Sequence, residues 1–195
     1  MILFFDTETT GFTRPRLSLS DPLQPHIVQL AAQLCDEKER PVSGFSLIVN
    51  PGVEIPEQVA DIHGITTEKA AQLGVTLLMA MTLFEHLYRR ADLLVAHNIK
   101  FDKAVMETAM TRNHGKETRI DKPLFCTMEK ATPIVNLPPT DKMRAAGMTC
   151  PKAPKLAECI KHFFDEELDG AHDAMVDTIA CARVYFHLKT LEANP

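Results

Sequence analysis

The stretch LFFDTETTGF, residues 3–12, decides how the rest of the chain is interpreted. Residues 2–5 are all apolar, which predicts a short strand at the centre of a sheet covered on both faces. Asp6 and Glu8 follow directly, and side chains two residues apart on an extended segment share a face at a separation of about 7 Å. We therefore expect both carboxylates to face one site at the end of this strand. A turn with helix-capping acids would give the same pattern, so the motif alone is not specific.

A second acidic motif follows another apolar run, at residues 92–97, which predicts a fourth strand. The sequence continues as HNIKFD, and Asp102 lies in the first turn of a predicted helix, where the helix dipole favours a carboxylate without any function. The HN pair ends a buried strand, and we expect the Asn98 side chain to tie this strand to the helix by hydrogen bonds. We expect Phe101 to pack in the core, which leaves Asp102 facing a cleft.

A third motif is GAHDAMVD, in which His172 and Asp177 are five residues apart. On a regular helix this spacing places two side chains about 140° apart, so they would not share a face. We expect His172 to lie in the loop before the helix, with Asp173 as the N-cap and Asp177 on the inner face. A histidine side chain, with an ordinary pKa of about 6.5, suits the removal of a proton at neutral pH. A surface histidine after Gly170 is the structural alternative.

The bulk composition limits the kind of protein. With 195 residues, 45% of them hydrophobic, we expect residues 1–195 to form a single domain. No apolar run approaches the roughly 20 residues of a membrane span, so we expect no membrane association. The net charge of −5 argues against binding nucleic acid through a broad positive field, but it allows metal ions and a few local cations to hold it. Five cysteines without a CxxC motif fit reduced thiols in a cytoplasmic protein.

The remaining pattern predicts an α/β fold with a mixed sheet flanked by helices, because three strands precede alternating helices and strands. Two segments, 12–25 and 133–155, contain several prolines and are expected to be irregular. The second also carries four basic residues, and it is either a plain surface loop or a flap that touches the substrate. The predicted strands are 2–5, 26–35, 41–49, 92–97 and 124–126, and the predicted helices are about 75–90, one beginning near 101, 155–164 and 173–190. In the last helix we expect four side chains to face inward: Val176, Ile179, Val184 and Phe186.

The acidic residues of the three motifs indicate a metal site. Four carboxylates brought to one place repel one another unless they share cations, and carboxylate oxygens are the ligands that Mg²⁺ and Mn²⁺ prefer. A pair of divalent ions held in this way is a common apparatus for hydrolysing a phosphodiester bond. The predicted metal ligands are Asp6, Glu8, Asp102 and Asp177.

In order and spacing, DTETTG, HNIKFD and HDAMVD resemble the motifs of the DEDD exonuclease superfamily in its histidine subclass (DEDDh), which includes the proofreading epsilon subunit of bacterial DNA polymerase III. The resemblance extends over about residues 1–190. It implies an RNase H-like fold with a five-stranded mixed sheet, two Mg²⁺ or Mn²⁺ ions, and removal of nucleotides in the 3′-to-5′ direction.

The resemblance also implies roles for individual residues. It makes His172 the general base, and the four carboxylates of the three motifs the metal ligands. IHGIT, residues 62–66, looks like the segment that packs against the terminal nucleotide, although His63 alone would also fit a core or loop position. We expect exposed side chains such as Ile65 and Phe12 to stack on or wedge between bases. The candidate substrate contacts are Thr9, Ile62, His63, Ile65 and Phe101.

The expected substrate is a single-stranded 3′ end, with DNA favoured over RNA and a nucleoside 5′-monophosphate as product; an exoribonuclease of the same superfamily stays open. FFDTETT superficially resembles the DxDxT motif of haloacid-dehalogenase-type phosphatases, but its third position is Glu8 and no later lysine with paired acids completes that site. A non-catalytic polymerase accessory subunit is the other alternative, although such proteins typically lose ligands that are all present here. Of protein partners, a polymerase and a second copy of the chain both stay open.

Overall fold

The computed structural model describes residues 1–193, and its five strands form one mixed sheet in the order β3-β2-β1-β4-β5. The central strand, β1, pairs antiparallel with β2 and parallel with β4. β2 pairs antiparallel with β3, and β4 pairs parallel with β5. The predicted five-stranded mixed sheet is therefore confirmed. The strands are β1 Ile2–Thr9, β2 Ile27–Cys35, β3 Pro41–Ile48, β4 Leu93–Ala96 and β5 Leu124–Cys126.

Helices cover both faces of the sheet. One face packs against α3 and α4, and the other against α5, α7 and α8. Among residues 1–193, no helix is both long enough and apolar enough to span a bilayer. The helices are α1 Glu57–His63, α2 Thr67–Leu73, α3 Leu77–Tyr88, α4 Ile99–His114, α5 Thr127–Val135, α6 Asp141–Ala145, α7 Leu156–Phe164 and α8 Ala174–Ala193.

The apolar start of β1 joins the two cores. Successive side chains on a strand point to opposite faces, so Phe4 and Phe5 enter different cores. The Phe4 ring lies edge-on to the Tyr185 ring of α8 at 5.4 Å between centroids, and the Phe5 ring lies edge-on to the Phe84 ring of α3 at 5.6 Å. β1 is thus fixed from both sides, which sets the position of everything at its carboxyl end.

β1 continues four residues beyond the predicted strand. Asp6 and Glu8 pair in register with Ala31 and Gln29 of β2, and the register shifts only between Glu8 and Thr9. The prediction that the acids follow the strand was wrong in this detail, because pairing with β2 keeps the polar DTET segment extended. Their common face follows from the same strand geometry.

Two further predictions were wrong. The segment 133–155 is not a uniform loop, since α5 reaches Val135, a β-bridge joins Leu137 to Lys152, and the Thr140 hydroxyl caps the short α6. In α8, Ile179 is an exposed residue, whereas Val184 is fully buried as expected. The five cysteines are all free thiols, four of them buried.

Candidate active site

The acidic motifs meet at the carboxyl edge of the central strands. β1 carries Asp6 and Glu8, and the parallel strand β4 delivers the first turn of α4 with Asp102 to the same edge. The first turn of α8 carries Asp177. Oxygen and nitrogen atoms of Glu8, Asp177 and His172 lie within 4.8 Å of one another. Asp6 lies close enough to Asp102, Asp177 and Glu8 for their charges to raise its pKa, so the five residues of the three motifs lie in one place.

Asp102 is held by the central strand. It is only 2% exposed, and its Oδ1 accepts hydrogen bonds from the Thr7 backbone N–H at 3.1 Å and from the Thr7 hydroxyl at 2.8 Å. Asn98 makes no capping bond with its side chain, so the expected link through this residue was wrong. Its backbone is left-handed at φ 67°, a conformation that asparagine tolerates better than most residues, and it turns the chain from β4 into α4.

His172 lies in the loop before α8, as the spacing predicts. Its backbone is left-handed at φ 71°, and its N–H donates to Asp177 Oδ2 at 3.0 Å. Asp173 acts as the N-cap, because its Oδ1 accepts from the N–H groups of Met175 at 2.9 Å and Val176 at 3.2 Å. The exposed imidazole is therefore attached to a backbone with a defined conformation.

Gln29 fixes the start of α8 against the sheet. This buried side chain lies on β2, paired in register with Glu8. Its Nε2 donates to Asp173 Oδ2 at 3.0 Å, and its Oε1 accepts from the Ala174 N–H at 3.2 Å. Sequence reasoning missed this residue. The available signal was a single amide within the apolar run IVQLAA.

The site is strained electrostatically in the absence of cations. Burial raises the pKa of Asp6 well above its usual range, and repulsion from Asp102, Asp177 and Glu8 raises it further. Burial and the Asp177 and Asp102 charges raise the pKa of Glu8 to about 8. Burial raises the pKa of Asp102 to about 7 against the opposing hydrogen bonds from Thr7. Burial also raises the pKa of Asp177, which the His172 N–H partly offsets. This donor set fits hard divalent cations, whose charge would relieve the repulsion.

A cavity of about 170 Å³ adjoins the carboxylates. Four of the five candidate substrate contacts line it: Thr9, Ile62, His63 and Phe101. Phe12 completes one wall and is 87% exposed. Phe101 is half-buried, so it contributes to the core and to the cavity together.

Ile65 is the exception among the candidate contacts. It is 2% exposed and belongs to a small core with Val28 and Ile55, so the prediction that it is an exposed hydrophobic was wrong. Gly64, left-handed at φ 69°, ends α1 and turns the chain inward at this point. Ile62, on the last turn of α1, stays 55% exposed instead.

His63 contributes an unsatisfied donor to the cavity. Its Nδ1 accepts from the Ile65 N–H at 3.2 Å, which places the proton of the neutral ring on Nε2. Within residues 1–193, this buried Nε2 has no hydrogen-bond partner. Burial lowers the pKa of His63 against the effect of the nearby Thr9 carbonyl, and the neighbouring His172 and Lys69 lower it further. His63 is thus a neutral imidazole in the wall of the cavity.

The raised carboxyl pKa values predict how stability depends on pH without metal. A carboxyl group whose pKa is higher in the folded protein binds protons on folding, so its stabilising contribution is lost as pH rises through the folded-state pKa. We expect Asp6→Asn to increase the free energy of unfolding in EDTA by on the order of 1 kcal/mol at pH 8 and by much less at pH 5. Thermal unfolding of both proteins at pH 5 and pH 8 measures this difference. In parallel samples with Mn²⁺, the wild type should gain more stability at pH 8 than at pH 5.

Asp61→Asn is the matched control, because Asp61 is an exposed carboxylate on α1. Equal effects of the two substitutions at pH 8 would contradict the repulsion described for Asp6.

Gln29→Leu should lower the free energy of unfolding by about 1–3 kcal/mol, because it leaves the Ala174 N–H and Asp173 Oδ2 without their buried partner. Urea unfolding at pH 7 measures the loss. Gln33→Leu on the same strand is the control, since within residues 1–193 the Gln33 amide makes a single side-chain hydrogen bond, to Cys35 Sγ at 3.4 Å. Similar losses in both variants would show that Gln29 has no special part in holding α8.

Comparison with known proteins places the sequence in a family. Residues 3–185 match the family model RNase_T, described as exonuclease. The DNA polymerase III PolC-type protein of Lactococcus lactis subsp. lactis is 26% identical over 184 residues, 93% of this chain and 10% of that protein. The DNA polymerase III subunit epsilon-like protein of Rhodobacter capsulatus is 27% identical over 190 residues, 94% of this chain and 23% of that protein.

Solved structures show the same fold. Escherichia coli Exonuclease I in complex with a dT13 oligonucleotide superposes with a TM-score of 0.75 at 21% identity, over 98% of this chain and 41% of that chain. A product-bound exonuclease I structure gives a TM-score of 0.72 at 19% identity, over 97% of this chain and 43% of that chain. The chain therefore spans less than half of each of these proteins, and the likeness confirms the RNase H-like α/β fold. Through the match over residues 3–185, the chain belongs to the exonuclease family of the DEDD superfamily.

Proposed function

We propose that residues 1–195 form one exonuclease domain that removes nucleotides from the 3′ end of single-stranded DNA and releases nucleoside 5′-monophosphates. The observation that carries this proposal is the convergence of four carboxylates and His172 beside the cavity lined by Phe12 and Phe101. DNA is favoured over RNA because the two relatives are named as DNA polymerase III proteins, and the Exonuclease I structure contains a DNA oligonucleotide.

The four carboxylates would hold two Mg²⁺ or Mn²⁺ ions, which when bound lower the pKa of water and stabilise charge on the leaving 3′ oxygen. Two observations support this assignment. Asp6 is a half-buried carboxylate with no hydrogen-bond donor to its side chain within residues 1–193, so its oxygens remain free for cations. Asp102 has one oxygen, Oδ1, engaged by Thr7, which orients the second.

His172 is the proposed general base. Its imidazole is exposed and lies in a loop, whereas the four carboxylates are partly or fully buried. Of these five groups, the imidazole is therefore the one that can move toward an attacking water. The bond from its N–H to Asp177 Oδ2 keeps it at the edge of the acidic cluster. Removal of the water proton by a positioned imidazole is efficient near neutral pH.

The cavity would orient the terminal nucleotide. Phe101, Ile62 and Phe12 offer apolar surface for a base and sugar, which binds without sequence preference. The His63 ring forms part of the same wall.

Digestion of a 5′-labelled single-stranded DNA with Mg²⁺ or Mn²⁺ should give a ladder of products that shorten from the 3′ end, with mononucleotides released. Asp177→Ala should abolish this activity and keep the fold, because it removes a ligand and relieves repulsion. Matched duplex DNA with a mismatched end and RNA of the same sequence define the substrate. Full activity in excess EDTA, or rapid internal cleavage of a 3′-blocked strand, would refute the proposal.

His172→Ala should reduce kcat by on the order of 10²-fold or more at pH 7, the usual effect of losing a positioned base. His86→Ala is the control, since His86 is an exposed histidine on α3. A wild-type rate for His172→Ala would assign the base to another residue, and an equal loss in both variants would show a general effect of removing histidines.

A further inference from the structure

The segment 12–25 is irregular but firmly held. The buried Gln24 amide closes it from inside, because its Oε1 accepts from the Arg14 N–H at 3.0 Å and its Nε2 donates to the Arg14 carbonyl at 2.9 Å and the Ser18 carbonyl at 3.2 Å. Arg112 of α4 holds the far end, since its guanidinium donates to the carbonyls of Pro25 at 2.6 Å and Gln24 at 2.8 Å. A loop anchored in this way presents its outer side chains from a fixed backbone.

Two arginines stand on the outside of this loop. A turn closed by the Leu17 N–H and the Arg14 carbonyl at 3.0 Å has Pro15 at its second position and Arg16 at its third. Both arginines are exposed, and in the part of the chain that the structure describes neither guanidinium has an ion pair or hydrogen bond. The other arginines all have acidic or carbonyl partners: Arg40, Arg89, Arg90, Arg112, Arg119, Arg144 and Arg183.

This arginine turn continues the proposed substrate path. Phe12 lines the cavity beside the carboxylates, and Arg14, two residues later, lines a concavity of about 270 Å³ with Ala104 and Thr108 of α4. Ala104 and Thr108 follow Phe101 by three and seven residues, a spacing that places all three side chains on one face of α4. The concavity therefore runs along the same face of α4 as the Phe101 side of the cavity.

The acids in the same concavity do not neutralise Arg14. Glu107 is paired with Lys103 at 2.5 Å and with Arg119 at 3.1 Å, and it also accepts the Ile120 N–H. Glu117 is paired with Arg119 at 2.6 Å. Arg14 and Arg16 thus keep their full positive charge in a chain of net charge −5.

We propose that Arg14 and Arg16 form a strand-anchoring site that binds phosphates of nucleotides upstream of the scissile bond, next to the base-contacting Phe12. The proposal rests on the proposed exonuclease function. A guanidinium binds phosphate oxygens through two parallel hydrogen bonds, and a fixed backbone reduces the entropy lost on binding. The occupant is the phosphodiester backbone, so the site serves strands of any sequence.

Binding separates this proposal from catalysis. Fluorescence anisotropy of labelled dT12 in EDTA or Ca²⁺, over a range of NaCl concentrations, gives Kd and its salt dependence. For Arg14→Ala/Arg16→Ala we expect Kd to rise about tenfold, and the slope of log K against log salt to fall in magnitude by about 1.4, since each phosphate contact on a single strand contributes about 0.7. Arg14→Lys/Arg16→Lys, which keeps both charges, should recover most of the slope.

A second substrate distinguishes strand anchoring from a disturbed active site. The 5′-nitrophenyl ester of thymidine monophosphate has a terminal nucleotide but no upstream phosphate. We expect the double alanine substitution to reduce kcat/KM on dT12 by a factor at least five times larger than on this ester. The reduction on dT12 should come from a higher KM. Lys38→Ala is the control, because Lys38 is an exposed cation in the β2–β3 turn, near the opposite end of β1 from Glu8.

An unchanged salt slope, or equal losses on dT12 and the ester, would overturn the strand-anchoring site. A slope change no larger than that of Lys38→Ala would also overturn it. A wild-type protein that binds dT12 with arginine-dependent salt sensitivity but hydrolyses neither substrate would leave the site standing and refute the exonuclease proposal instead.

Discussion

Mutual repulsion among four carboxylates at one sheet edge is the constraint on which the rest of the structure depends. Such a cluster would spread apart unless each member were attached to a rigid element, and the apolar half of β1 supplies that rigidity. Phe4 and Phe5 anchor the strand in two cores, so Asp6 and Glu8 cannot move away from the edge. The helices that bring the other two carboxylates are fixed by hydrogen bonds rather than by packing alone. The two cores and the buried polar contacts around the site thus offset the free energy of repulsion among the four carboxylates.

Those polar contacts come from residues next to the acids in the sheet. Thr7 lies between Asp6 and Glu8 on β1 and donates twice to Asp102, which fixes α4. Gln29, the β2 partner of Glu8, fixes the start of α8. These hydrogen bonds are buried or partly buried, where the loss of one partner costs more stability than at the surface. β1 therefore carries two of the four carboxylates, and β1 and β2 together orient the helices that supply the other two, which explains how distant motifs reach one point.

The sequence predicted the parts of this arrangement that depend on periodicity and spacing. The five strands, the placement of His172 before α8 and the meeting of the three motifs follow from local patterns and from the rule that parallel strands end at one edge. It failed where a tertiary contact decides the outcome. Asn98 was expected to link β4 and α4, but its side chain makes no capping bond, and Thr7 of β1, far away in sequence, holds α4 instead. Ile65 was expected at the surface, but the left-handed Gly64 turns it into a small core. Gln29 could not be recognised because its partners lie about 145 residues away.

The distribution of charge explains how an acidic chain can suit a polyanionic substrate. A broad positive field is absent at a net charge of −5, so attraction must come from a few fixed cations near the site. Most arginines are occupied by acidic or carbonyl partners, and pairing leaves them little capacity to bind phosphate. Arg14 and Arg16 are different because the bonds of Gln24 are made to the loop backbone and not to the guanidinium groups. Hydrogen bonds to the backbone thus keep the loop rigid, while the two guanidinium groups stay free to bind an anion. A preorganised anion site requires both properties.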